Sequence, residues 1–103
     1  MSLPWRVKKA IASLLGAQGE TDTSLRQAIF ERARLGTGEV PENLRLLVEK
    51  IADRPWSVSD DDITRLRGAG YSEDCIYELV LAAAAGAGTR RFEAGLRAIE
   101  GAQ

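Results

Sequence analysis

"YSEDCIYELVLAAAAGAG", residues 71–88, decides the fold. Ser72 stands where a helix N-cap is wanted, which puts Cys75 three residues on, in the first helical turn. From Ile76 to Ala87 nearly every side is apolar, and the small residues from Ala82 to Gly88 let neighbouring backbones come close. The spacing predicts one long helix from Glu73 to about Glu100. A surface helix does not stay apolar all round, and a chain of 103 residues has a modest core with which to cover it. Another subunit is therefore expected to cover part of this helix, making the protein a homo-oligomer.

Moving towards the N-terminus, "GAG" at 68–70 closes a short helix that Ser59 opens. Asp60, Asp61 and Asp62 fill its first turn, where carboxylates meet the positive end of the helix dipole, and Ile63 and Leu66 face inward. "DRPWS" at 53–57 interrupts the helical pattern, because Pro55 disfavours helix at Arg54 and cannot continue the hydrogen-bond ladder. Before it, Pro41 opens a helix with Leu44, Leu47, Val48 and Ile51 on one side. A further helix is expected to start at Ser24, with Gln27 completing a capping box. It would bury Leu25, Ala28, Ile29 and Leu35, and end at "GTG", 36–38. The first 19 residues read as an amphipathic helix with Leu3, Val7, Ile11, Leu14 and Leu15 on one face and Pro4 in its first turn. The fold class is all-α: one domain of about five helices with a long Ala-rich C-terminal helix.

Fourteen basic and fifteen acidic residues leave a net charge of -1, with neither sign piled at one end. Composition thus offers no pull towards nucleic acid or an anionic membrane surface. The stretch "ITRLRGAGYSEDCIYEL", 63–79, has the outline of a helix-turn-helix, but Glu73, Asp74 and Glu78 would meet phosphates with negative charge. No apolar run reaches the roughly 20 residues of a membrane span, and the N-terminus lacks the solid apolar block of a signal peptide. One cysteine excludes an internal disulfide, and a cytoplasmic protein is expected.

Histidine is absent, which removes the commonest general base and metal ligand. With a single cysteine there is no zinc shell, and no glycine pattern matches a phosphate-binding loop. No cofactor or metal is expected. Arg90 and Arg91 could grip an anion, but paired arginines on a helix are more often a solvated face.

Residues 58–99, "VSDDDITRLRGAGYSEDCIYELVLAAAAGAGTRRFEAGLRAI", together with "LVEKIA" at 47–52 and Trp56, resemble the AhpD-like proteins, the alkylhydroperoxidase D and carboxymuconolactone decarboxylase superfamily. The resemblance covers about residues 40–100. It implies an all-helical subunit that assembles through its long helices. For the active branch it also implies a Cys-x-x-Cys pair and a histidine that reduce peroxide. In this chain that pair falls on "RPWS", with Arg54 and Ser57 in place of the thiols, and the histidine falls on Asp61 or Asp62. The relay is missing.

The first reading is therefore a non-peroxidatic AhpD-like helical oligomer whose role is either assembly or the binding of a small ligand between helices. Trp56, Tyr71, Tyr77 and Arg91 are the candidate lining residues. An enzymatic alternative is a divergent peroxidase or decarboxylase-like activity using Cys75, or Glu49 and Asp53, at a subunit interface. Cys75 sits in a first helical turn, which lowers a thiol's pKa. Glu73, Asp74 and Glu78 surround it with opposing charge, and no second thiol can resolve an oxidised sulfur, so it reads as a space-filling residue. A third reading is an adaptor that docks through its N-terminal helix, Leu3 to Leu15.

Overall fold

The computed structural model describes residues 4–16, 19 and 21–102. Its elements are α1 (Trp5–Gly16), α2 (Thr23–Leu35), α3 (Glu42–Asp53), a 3-10 turn (Pro55–Ser57), α4 (Asp60–Gly68) and α5 (Glu73–Ala102). Among the described residues there is no strand, and no helix is long and apolar enough to cross a membrane. Leu3 and half of the link between α1 and α2 (17, 18 and 20) lie outside the described residues.

Caps place the helix starts. The Ser59 hydroxyl accepts the Asp62 N–H, and the Asp62 carboxylate accepts the Ser59 N–H at 2.9 Å, a complete capping box. Ser72 accepts the Cys75 N–H at 3.1 Å, the role its position predicts. Helix α2 differs from expectation. It begins at Thr23 behind Asp22, so Ser24 lies inside the helix and forms no capping box. Its end is the expected glycine, since Gly36 adopts φ +74°, a left-handed conformation that glycine takes without steric cost.

The core is one cluster. Ile29 and Ala33 of α2 and Leu44, Leu47, Val48, Ile51 and Ala52 of α3 meet Leu66 of α4. Ile76, Leu79, Ala82, Ala83 and Ala87 of α5 complete it. Helix α2 lies alongside α5, and Gly86 makes this possible. A Cβ there would run into the Phe30 carbonyl oxygen and sit 3.0 Å from the Ala33 Cβ. The buried side of α2 is Arg26, Ile29, Phe30 and Ala33, whereas Leu35 is exposed, contrary to the stripe read from its spacing. Leu35 is the last helical residue, beside the left-handed turn at Gly36, and the chain leaves the core there.

Ion pairs tie the helices at their ends. Arg34 makes a two-pronged pair with Glu93, both bonds 2.8 Å, which holds the Glu93 carboxyl below its ordinary pKa. Arg90 and Arg91 both donate to the Ala52 carbonyl, at 2.9 and 2.6 Å, so two cations cover the negative end of α3. Helix α1 is held differently. None of its residues is buried; Leu15 packs against the core, and Arg26 donates to the Leu14 carbonyl at 2.9 Å.

Candidate interaction surface

Helix α5 carries two apolar faces. At about 100° per residue, the buried side chains Ile76, Leu79, Ala82, Ala83, Gly86 and Ala87 share one side and form the core. On the opposite side Tyr77, Leu81, Ala84, Gly88, Phe92, Gly95 and Ile99 fall within about 40° of one line, and every one of them is exposed. The large members stay open to water: Tyr77 by 65%, Leu81 by 36%, Phe92 by 42% and Ile99 by 52%. No charged residue lies within that band between Tyr77 and Ile99, a length of about 33 Å at 1.5 Å per residue, and Arg91 flanks it at about 60°.

Helix α1 borders one edge of the stripe. Val7 and Ile11 face Ala85, Gly88, Thr89 and Phe92 across an open apolar cleft of about 230 Å³. Trp5, at the start of α1, is exposed as well, with the cations of Arg6 and Lys9 over its ring at 5.9 and 5.8 Å. At the other end, α5 outruns the bundle. Arg34 near the end of α2 reaches Glu93, and from Ala94 to Ala102 only Leu96 is even half-buried. The last two and a half turns are thus an overhang whose Ile99 continues the stripe, with Leu96 beside it.

The residues singled out from the sequence do not form one pocket. Trp56 projects from the 3-10 turn and is 80% exposed. Arg91 lies near that end of α3, spent on the Ala52 carbonyl. Tyr71 is at the other end of α3, its hydroxyl donating to the Asn43 side-chain oxygen Oδ1 at 3.2 Å. Tyr77 and Arg91 are fourteen positions apart on α5, about 21 Å along the axis. Tyr77 instead belongs to the exposed stripe, a role that its helical register with Leu81 and Phe92 could have signalled. Cys75 is half-buried and packs against the core. Glu49 and Asp53 do share a site, a cleft of about 210 Å³ with Arg32 and Arg90, but each carboxylate is already engaged, by Arg32 at 3.5 Å and Arg90 at 3.3 Å.

The positions that the resemblance assigns to a thiol relay are occupied by structural contacts. Ser57 donates its hydroxyl to the Arg54 carbonyl at 2.7 Å, closing the turn after α3. Asp62 is buried, and both its oxygens meet the Lys50 ammonium, at 3.0 and 2.9 Å. That ammonium, helped by the Ser59 N–H, pulls the Asp62 carboxyl down to about 2. Asp60 and Asp61 are exposed. Among the described residues no group of three or more His, Cys, Asp or Glu side chains could hold a metal ion.

Comparison with family models, with curated proteins and with solved structures finds no match for this chain. The AhpD-like resemblance accordingly stands on the residues quoted for it, and the interaction surface on its own geometry.

Proposed function

We propose that this chain is a self-assembling helical protein that binds a second copy through the exposed face of α5, on an AhpD-like frame from which the peroxidase relay has gone. The carrying observation is the uninterrupted apolar stripe from Tyr77 to Ile99, opposite the side of α5 that forms the core. Monomeric proteins rarely leave a contiguous apolar patch of more than a few hundred Å² in water. The stripe, about 33 Å long and one helix of about 10–12 Å wide, presents roughly 350 Å² in outline, and the exposed Trp5 and Val7 beside it extend this face towards the roughly 800 Å² per partner that a stable interface buries.

The non-peroxidatic part of the reading is supported by occupation of the relay positions. Arg54 and Ser57 are absorbed in a turn and Asp62 in a buried ion pair, while Cys75, which stands outside those positions, packs at the edge of the core.

Light scattering on the intact chain beside Leu81→Glu and Ile99→Asp tests the assembly. Both positions are surface positions in the protomer, so both variants should keep their helical circular dichroism. The unmodified chain should run as an oligomer, and each variant should weaken association at least tenfold. Variants with unchanged mass would overturn the reading, as would an unmodified chain that is already monomeric.

A further inference from the structure

The stripe is self-complementary in one direction only, and we infer that two copies pair their α5 helices antiparallel about a two-fold axis that passes at Gly88. This inference rests on the self-association proposed above and adds its geometry. Antiparallel pairing centred on Gly88 sets each residue against the one equally far on the other side. Leu81 then meets Gly95, Phe92 meets Ala84, and Tyr77 meets Ile99. Bulk faces gap at both inner pairs, and the two Gly88 backbones meet where the helices cross. Parallel pairing sets Phe92 on Phe92 and Gly95 on Gly95, bulk on bulk and gap on gap. It would also align the helix dipoles, which is unfavourable.

A second observation, independent of the pattern, points to the same place. Glycine inside a helix costs about 1 kcal/mol relative to alanine, so each interior glycine of α5 asks for a reason. Gly86 has one within the protomer, the Phe30 carbonyl. Gly88 and Gly95 have none, for a Cβ built on either meets nothing within 4 Å. Both lie on the exposed stripe, and both are positions where the antiparallel pair brings a second helix closest. The overhang from Ala94 to Ala102 also gains a support: it lies along Tyr77 and Leu81 of the partner copy, at the end of α5 that is embedded in the bundle. A two-fold contact of this kind is closed, since the same patch serves both copies.

Cysteine pairing reads the register directly. In a Cys75→Ala background, single cysteines replace Gly88, Leu81 or Gly95, and mild copper-catalysed air oxidation is followed by non-reducing electrophoresis. The open space around Gly88 and Gly95 lets those variants fold. A disulfide needs Cα atoms within about 7 Å. The antiparallel crossing predicts that Gly88→Cys links to itself. Leu81→Cys and Gly95→Cys should stay single alone, because their own copies are about 21 Å apart along the axis, and should link when mixed. Self-linking of Leu81→Cys would mean parallel pairing and overturn the inference. An oligomer by light scattering with no link at any of these positions would overturn this register while leaving self-association intact, and a monomer would overturn both.

Discussion

Asp62 shows how much one side chain can hold. It closes the capping box of α4 through Ser59, takes the Lys50 ammonium of α3 with both oxygens, and stands 3.8 Å from Arg65 one turn on. Three aspartates in a first helical turn read equally well as dipole partners, and Asp60 and Asp61 are in fact exposed. The sequence showed that carboxylates belong there; which of them turns inward was not legible, because it depends on Lys50 arriving from another helix. With the Asp62 carboxyl at about 2 in the folded chain against an ordinary value of 3.8, its contribution to stability is fully present above about pH 4 and is lost as the pH falls through about 2. Asp62→Asn should therefore melt below the unmodified chain at pH 7, with the gap closing as both are taken to pH 2. Melts that differ by the same amount at both pH values would show that the charge is not what matters.

At the scale of elements, α5 carries a core face and an exposed apolar face in one sequence. Its alanine-rich stretch was expected to be covered on every side, and the protomer covers only one side. Periodicity reveals that a helix is amphipathic but not how many partners share it, so the second face is visible only once α2 and α3 have been placed. The same limit explains the errors on α2. Phe30 and Arg26 are buried and Leu35 is not, because the close approach at Gly86 sets the rotation of α2 against α5. By contrast, Leu44, Leu47, Val48 and Ile51 of α3 are buried as their spacing predicts. The two glycine classes of α5 can be told apart by substitution. Gly86→Ala overpacks a closed contact against backbone, an effect of about 1–3 kcal/mol that outweighs the gain in helix propensity. Gly88→Ala, placed in the Leu81→Glu background where the face is unpartnered, should gain up to about 1 kcal/mol. Urea unfolding of the two, each against its own parent, checks the pair; equal effects of the same sign would refute the assignment of Gly86 to the core contact.

For the whole molecule, the all-helical architecture and its Gly- and Pro-marked breaks were readable from the chain alone, since caps and helix stops are local chemistry. The candidate ligand site was not. Trp56, Tyr71, Tyr77 and Arg91 share neither an end of α3 nor a stretch of α5, and aromatic or cationic character says nothing about convergence in space. What the assembled structure adds is an apolar face with no partner in the protomer and two glycines with no purpose there. Sedimentation equilibrium of the unmodified chain over a dilution series weighs that directly. The account predicts a species of about twice the 11.2 kDa chain mass, or a multiple of it, giving way to monomer on dilution. A single 11.2 kDa species at every concentration, well folded by circular dichroism, would contradict it.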